Sequence, residues 1–246
     1  MSIESSKRLQ RIAIADRVAT LDWATINAAL DDAGVAPTGP ILDPDECRAV
    51  KDLYVQTERF RSTIDMARYR FGEGEYRYFD RPLPDEVVEL RNAFWPHLLV
   101  VARAWTGRRG ERAPWPDAFG EWLAHCHAAG QVRPTPLMLR YGPGDWNALH
   151  RDLYGALVFP LQVVIGLDDP RHDYTGGEFV TVEQCPRAQS RATSISIPHG
   201  HGVVFTTRDR PVRSRRGWVN APMRHGVSVV RSGRRHALGL VFHDAQ

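Results

Sequence analysis

Residues 225–242 read HGVSVVRSGRRHALGLVF, two runs of strand-forming residues separated by a short polar segment. Valine and other β-branched or aromatic residues favour strands, and a three-residue loop that contains glycine is a common hairpin connection. The stretch therefore predicts two antiparallel strands joined through Ser232, Gly233 and Arg234.

Short runs of the same kind recur throughout the chain from Arg133 onward. They read TPLMLRYGPGD, LVFPLQVVIGLDD, GGEFVTVEQ, ATSISIP and GVVFTT, and turn residues separate them. Many short strands at this spacing are typical of an antiparallel sandwich or barrel, whereas the strands of a parallel sheet would alternate with helices. We predict that residues 133–246 form a jelly roll, also called a double-stranded β-helix.

The first half of the chain has the pattern of helices. Apolar residues follow helical spacing over 12–19, 23–30 and 83–105. Asp43 followed by Pro44 is typical of a helix start, because aspartate caps the free N–H groups and proline is tolerated in the first turn. Most of this region is therefore predicted to be helical.

One segment of the first half, residues 68–82, reads RYRFGEGEYRYFDRP and is predicted to be a strand pair around a glycine-rich turn. The expected architecture is α+β. A mainly helical N-terminal region, residues 1–132, supports a jelly-roll catalytic core, residues 133–246, in one compact structural unit.

Composition excludes several classes of protein. The chain has 246 residues, 43% of them hydrophobic, which suffices for one sizeable core. No stretch approaches the roughly 18 apolar residues of a membrane span, and the charged N-terminal segment does not resemble a signal peptide. We expect a cytoplasmic protein with no membrane partner, in which Cys47, Cys126 and Cys185 are reduced thiols.

His150 and Asp152 are two positions apart in ALHRDLYG, and side chains i and i+2 of a strand point to the same face. A His-x-Asp pair alone is common, but His225 follows at the start of a predicted strand. Two histidines and one carboxylate can occupy one face of an octahedral Fe(II) and leave open positions for a bidentate ligand and O₂. Zinc would usually require a fourth tight ligand or a hydrolytic water. The sequence therefore predicts that these three residues bind Fe(II).

Arg235 stands ten positions after His225. In the predicted hairpin it lies opposite Arg231, six residues from His225, and faces the same side. Six residues of strand span about 20 Å, and side chains that lean in from both ends leave room for a five-carbon diacid with one end on iron. A guanidinium suits the far carboxylate because it donates two parallel hydrogen bonds. A two-residue loop would turn Arg234 inward instead, so Arg234 is the alternative.

Longer stretches of the sequence carry a family resemblance. They read PLMLRYGPGDWNALHRDLYG, FPLQVVIGLDDPRHDYTGGEFVTVEQCPRAQSR, RPVRSRRGW and MRHGVSVVRSGRRHALGLVFHDA. With the residues above, they resemble the Fe(II)/2-oxoglutarate dioxygenase superfamily. More closely, over about residues 20–246, they resemble a bacterial family of prolyl-hydroxylase-like oxygenases that is named for a proposed oxidative removal of methyl groups from damaged DNA.

The resemblance implies that Fe(II) and the cosubstrate 2-oxoglutarate serve to hydroxylate a C–H bond, with release of succinate and CO₂. It also implies Tyr141 as a second donor to 2-oxoglutarate, and an aromatic plug at the barrel mouth is the alternative. Gly176 and Gly177 match a turn before a core strand and are read as backbone requirements. Glu178 is read as structural.

Three functions remain open from the sequence. The first in rank is a hydroxylase of an amino acid, peptide or small metabolite, because the resemblance is to prolyl hydroxylases. The second is an AlkB-like demethylase of damaged nucleic acid. AlkB-type proteins place another Arg six positions after the cosubstrate Arg, and here position 241 is Val. The third is a non-catalytic jelly-roll binding protein, against which the intact ligand set argues. Nothing in the sequence indicates an oligomeric state.

Other histidines are weaker candidates for a site. His125 and His127 lie about 200° apart around a helix and cannot share an ion. His199 and His201 are predicted to lie in an exposed loop. His236 is predicted to point outward from its strand.

A cluster of arginines precedes the His225 strand. Its members are Arg208, Arg210, Arg213, Arg215 and Arg216. Such a loop could rim the iron pocket and attract phosphate or carboxylate. Because arginine is nearly the only cation in this chain, a solvated loop with internal ion pairs is the favoured interpretation.

Overall fold

The computed structural model describes residues 12–152, 154–184, 189–215 and 217–246. The α-helices in these ranges are α1 (Ile14–Ala19), α2 (Trp23–Ala33), α3 (Pro44–Asp52), α4 (Met66–Tyr69), α5 (Asp85–Arg108) and α6 (Phe119–Ala128). The strands are β1 (Val35–Pro40), β2 (Phe60–Asp65), β3 (Gly72–Glu73), β4 (Glu75–Phe79), β5 (Leu137–Tyr141), β6 (Trp146–His150), β7 (Leu161–Gly166), β8 (Tyr174–Gly176), β9 (Phe179–Glu183), β10 (Arg191–Ile195), β11 (His201–Thr206), β12 (Asp209–Ser214), β13 (Gly217–Val227), β14 (Val230–Gly233) and β15 (Arg235–Val241).

Two antiparallel sheets form the centre of the fold. The larger sheet has the strand order β1-β11-β7-β15-β5-β4-β2, and the smaller has the order β10-β9-β13-β6-β3, with β12 paired to β13. Some consecutive strands lie in different sheets, as do β5 and β6 or β6 and β7, and β8 pairs with β14 in a separate two-stranded sheet. This mixed helix and antiparallel-sheet architecture matches the predicted α+β class.

The hairpin predicted over residues 225–242 is wrong. β13 pairs with β6 and β9 in the smaller sheet, whereas β15 pairs with β5 and β7 in the larger one. The segment between them forms β14, which pairs with β8. Gly233 (φ 76°) allows the chain to cross between sheets, because a Cβ there would lie 1.9 Å from the carbonyl oxygen of Asp173.

The N-terminal region supplies strands as well as helices. β1, β2 and β4 extend the larger sheet at both ends, and β3 joins β6 in the smaller sheet. The strand pair predicted within 68–82 is therefore wrong: β3 and β4 form, but each pairs in a different sheet. The boundary between 132 and 133 stays a prediction, and both sheets include strands from before it.

Helices α1, α2, α3, α5 and α6 share a hydrophobic core with strands of the larger sheet, whereas Met66 of α4 packs in a smaller cluster with Tyr141 and Tyr174. Asp43 caps α3 as predicted, and its side chain accepts hydrogen bonds from the backbone N–H groups of Asp45 and Glu46 in a capping box. α5 continues through Pro96, and its Trp95 packs on Phe159 with ring centroids 4.6 Å apart. Each such fully buried side chain contributes roughly 2 kcal/mol of hydrophobic stabilisation.

Cys47 and Cys126 are buried free thiols, as predicted, and Cys185 lies outside the described residues. In the part of the chain that the structure describes, every helix is too short or too polar to cross a membrane.

Candidate functional site

Two histidines face each other across neighbouring strands of the smaller sheet. His150 is the last residue of β6, and His225 lies directly opposite it in β13. Their ring centroids are 4.3 Å apart. His225 does not open its strand as predicted, because β13 begins at Gly217. The antiparallel pairing brings together two residues that are 75 positions apart in the sequence.

Asp152 completes the cluster from just beyond β6, so the strand alternation that predicted it does not describe its position. Its Oδ2 lies 3.1 Å from Nε2 of His225, and its Oδ1 lies 3.5 Å from Nε2 of His150. One ligand atom from each residue lies within 4.8 Å of the others, which is close enough to hold one metal ion. Two imidazoles and one carboxylate form a donor set that suits Fe(II).

Neighbouring side chains fix the orientation of Asp152. The Tyr154 hydroxyl donates to Oδ1 at 2.8 Å, and Nε2 of Gln162 donates to Oδ2 at 2.9 Å. The Tyr78 hydroxyl in turn donates to the Tyr154 hydroxyl at 3.1 Å. On the other side of the cluster, Nδ1 of His150 lies 2.7 Å from a backbone carbonyl oxygen, which leaves Nε2 free for a metal.

The electrostatics of the cluster favour a cation. Burial disfavours the charged form of Asp152, but the attraction of His225 and a hydrogen bond with His150 hold the pKa of Asp152 well below its usual range. Burial lowers the pKa of His225. Burial acts in the same direction on His150, but its interaction with Asp152 raises the pKa of His150 overall. An ionised carboxylate beside a buried neutral imidazole is the protonation state that a divalent cation requires.

A cavity of about 310 Å³ lies between the two sheets, and the three residues of the cluster form part of its wall. Aromatic side chains make up much of the lining. They are Phe71, Tyr76, Tyr78, Tyr154, Phe179 and Phe205. Arg151 and Arg235 also line the cavity. A small molecule or side chain that enters it would meet an apolar wall with a metal site and two cations.

Arg235 begins β15 and is 2% exposed. Its Nε is buried and has no hydrogen-bond partner, and no ion pair joins the side chain to a carboxylate in the described part of the chain. Gly177 lies so close that a Cβ there would be 2.9 Å from Cδ of Arg235. A buried guanidinium in the cavity of the triad, without a carboxylate partner in the described part of the chain, fits the far carboxylate of 2-oxoglutarate. The neighbouring Arg234 is exposed.

Tyr141 lies opposite Arg235 where β5 pairs with β15. Its ring is fully buried, 5.4 Å from the Arg235 guanidinium, and its hydroxyl accepts a hydrogen bond from Asn147 at 3.3 Å. Burial raises the pKa of Tyr141 to about 12, so the hydroxyl stays protonated. Tyr141 is not among the residues that line the cavity, whereas its partner Asn147 is. The role of Tyr141 as a second donor to the cosubstrate stays a prediction.

The other histidines do not join the cluster. His125 is exposed, and His127 bonds Asp244 at 2.9 Å. His201 opens β11 and is half-buried instead of lying in an exposed loop, and His199 is also half-buried. His236 points away from the cavity and bonds Asp168 at 2.8 Å, in agreement with its predicted orientation.

Residues 208–215 form the strand β12 with a bend residue before it and a turn residue after it, not the predicted loop. β12 pairs with the start of β13, and Arg210 is buried in an ion pair with Glu183 at 2.7 Å. Arg213 lies over a tryptophan ring, 5.5 Å from its centre. Arg216 lies outside the described residues. None of the described arginines of this segment lines the cavity.

Some cavity residues were missed from the sequence. Tyr154 continues the spacing of His150 and Asp152, and that alternation was a usable signal. Gln162 is the one polar residue in the apolar run LQVVI, and such an isolated polar residue often has a buried partner. Arg151 lies between the two predicted ligands in the sequence, and no sequence pattern indicated that it would line the cavity.

Two sheets around an apolar cavity, with two histidines, one aspartate and a buried arginine on its wall, define the class of the double-stranded β-helix oxygenases, whose cofactors are Fe(II) and 2-oxoglutarate. Comparison with known proteins gives the family within this class. A family model described as "Oxygenase, catalysing oxidative methylation of damaged DNA" matches residues 74–245, and the chain belongs to this family.

Other known proteins are similar to this chain over most of its length. The chain is 63% identical over 167 residues to an uncharacterised protein of Mycobacterium tuberculosis (strain ATCC 25618 / H37Rv), which covers 68% of this chain and 72% of the relative. A Pseudomonas putida prolyl-4-hydroxylase has a similar fold, with a TM-score of 0.51 and 15% identity over 91% of this chain and 99% of that one. A Trichoplax adhaerens prolyl hydroxylase, solved in complex with a hypoxia inducible factor peptide, has the same TM-score and identity over 88% of this chain and 86% of that one.

Proposed function

We propose that this oxygenase hydroxylates a C–H bond of an amino acid, a peptide or a small metabolite, with His150, Asp152 and His225 as the iron ligands. The observation that carries the proposal is the convergence of these three ligand atoms within 4.8 Å on the wall of an apolar cavity. When bound, Fe(II) and 2-oxoglutarate would supply the oxidising chemistry: 2-oxoglutarate would lose CO₂ and become succinate with one oxygen atom of O₂, and the other atom would enter the C–H bond of the substrate.

The protein holds and orients the reacting groups. Arg235 binds the far carboxylate of 2-oxoglutarate through its two parallel N–H groups and so fixes the cosubstrate relative to the triad. Tyr154 and Gln162 keep the Asp152 carboxylate aimed at the metal. The aromatic wall excludes water from the reacting centre.

The family description names damaged DNA, and demethylation of nucleic acid is the second candidate. That role would be supported by cations around the cavity opening, because phosphate contacts dominate nucleic-acid affinity. The described arginines of segment 208–216 stand elsewhere, and Arg210 is already paired with Glu183. We therefore rank hydroxylation of a small molecule or peptide first.

Succinate formation from 2-oxoglutarate in the presence of Fe(II) tests the proposal. We expect His225→Ala to abolish turnover and Fe(II) binding together, because one of three ligands is lost. His172→Ala is the matched control, since His172 is exposed and away from the cavity. Full turnover by His225→Ala, or equal loss in both variants, would contradict the assignment.

A further inference from the structure

Arg151 lines the cavity but has no role in the proposed binding of the metal or of 2-oxoglutarate. The other charged groups of the described lining have one: His150, Asp152 and His225 hold the metal, and Arg235 binds the cosubstrate. Arg151 therefore leaves one positive charge on the wall of a mostly apolar cavity.

The existing contacts of Arg151 are weak. Its Nη1 lies 3.8 Å from Oδ1 of Asp209, near the limit of an ion pair, and its side chain is 32% exposed. Asp209 is held more closely by Arg208, whose Nε donates to Oδ2 at 2.8 Å. A partly exposed pair at that distance contributes little stability. The Arg151 guanidinium can therefore take another anion at small cost.

The rest of the cavity indicates what kind of molecule carries that anion. Asp152 is the only carboxylate in the described lining, and it belongs to the metal site. Phe71 and Tyr76 present aromatic surface, and Phe71 is 47% exposed, which places it where the cavity meets solvent. A ligand with an apolar or aromatic body and one negative group matches this lining in both shape and charge.

We propose that Arg151 binds an anionic group, a carboxylate or a phosphate, of the primary substrate, and that the apolar body of the substrate packs against the aromatic wall. The proposal rests on the proposed function, because it takes this cavity as the substrate pocket of the oxygenase. It narrows the substrate class to anionic molecules and makes Arg151 a residue that determines specificity.

Matched probes test this directly on the protein loaded with Fe(II) and saturating 2-oxoglutarate under anaerobic conditions. The probes are 3-phenylpropionate, phenyl phosphate, the neutral 3-phenylpropan-1-ol and the cationic 3-phenylpropylamine, and calorimetry gives their dissociation constants. We expect at least one anionic probe to bind about tenfold or more tightly than the alcohol, because charge-assisted hydrogen bonds contribute that much. Tighter binding of 3-phenylpropionate than of phenyl phosphate would indicate a carboxylate, and the reverse order would indicate a phosphate.

Variants connect the preference to Arg151. Arg151→Gln should remove the tenfold preference without changing the affinity for the alcohol, and Arg151→Lys should restore part of it because the charge is kept. Arg171→Gln, on an exposed turn outside the cavity lining, is the control and should bind all probes like the wild type. Melting temperature and 2-oxoglutarate affinity of each variant show that it folds.

Three results would overturn the inference. The wild type would bind neither anionic probe more tightly than the alcohol, the preference would survive in Arg151→Gln, or the anionic probes would bind only when 2-oxoglutarate is left out, which would place them on Arg235. The proposed function fails separately, through absence of succinate formation in the wild type without any probe.

Discussion

Replacement of Arg235 by glutamine should weaken 2-oxoglutarate binding by roughly a hundredfold. Arg235 is 2% exposed and its Nε has no partner within the protein, so the far carboxylate would receive two charge-assisted hydrogen bonds in a site closed to water. Each such bond contributes about 1.5–3 kcal/mol. Glutamine keeps one neutral donor, so the net loss is about 3 kcal/mol, and each 1.4 kcal/mol corresponds to a factor of ten.

The neighbouring arginine provides a matched control. Arg234 has the same charge and an adjacent position but is exposed, so Arg234→Gln should change the KM for 2-oxoglutarate less than twofold. The assay is succinate formation at varied 2-oxoglutarate, with calorimetric titration of the cosubstrate as a check that does not depend on turnover. Equal effects in the two variants, or a larger effect in Arg234→Gln, would refute the reasoning.

The same variant has an opposite expected effect on the free protein. A buried guanidinium without a carboxylate partner costs stability, so Arg235→Gln should leave the melting temperature of the free protein unchanged or raise it. Added 2-oxoglutarate should raise the melting temperature of the wild type by mass action but not that of the variant. A large drop in the free variant would mean that Arg235 supports the fold and does not await a ligand.

Three further predictions follow from individual contacts. Tyr154→Phe removes the hydroxyl that donates to Asp152 and should weaken Fe(II) binding roughly 10–100-fold. Competition with a chelator measures this affinity, and an unchanged affinity would contradict the prediction. Burial lowers the pKa of His243 from 6.5 to about 4. As pH drops, this imidazole is therefore protonated in the unfolded chain before it is protonated in the folded protein. The free energy of unfolding should fall by about 3 kcal/mol between pH 6.5 and pH 4. Urea unfolding should show a shallower pH slope for His243→Gln, and an unchanged slope would exclude this group. Arg210→Ala should destabilise the protein by about 3 kcal/mol, because the buried Glu183 loses its ion pair with Arg210 at 2.7 Å, yet the KM for 2-oxoglutarate should stay unchanged. Lost turnover at full stability would instead give the segment a functional role.

Spacing in the sequence was sufficient to select two of the three residues of the cluster. His150 and Asp152 are close in the chain, and a short separation restricts where two side chains can point whatever the surrounding topology. His225 could be added because the family pattern fixes its identity. Its exact place within β13 could not be derived, since the strand begins at Gly217, directly after the charged segment that reads as a loop. Pairing between β12 and residues 217–222 makes both segments strands, and such pairing is a tertiary effect that propensity does not contain.

The hairpin prediction expected Arg235 to face inward, and Arg235 does line the cavity, although the hairpin itself does not form. It assumed that strands adjacent in sequence also pair, but β13 and β15 belong to different sheets, and β14 between them pairs with β8. Arg235 faces the cavity because β15 lies between β5 and β7, with Gly239 on the same face, four residues along. The alternation of side chains between the two faces of a strand is a local property, so it holds even where the predicted topology is wrong. The distance between Arg235 and His225, in contrast, depends on how the two sheets pack. The length argument for a five-carbon diacid therefore has to rest on the width of the cavity between the sheets and not on residues counted along one hairpin.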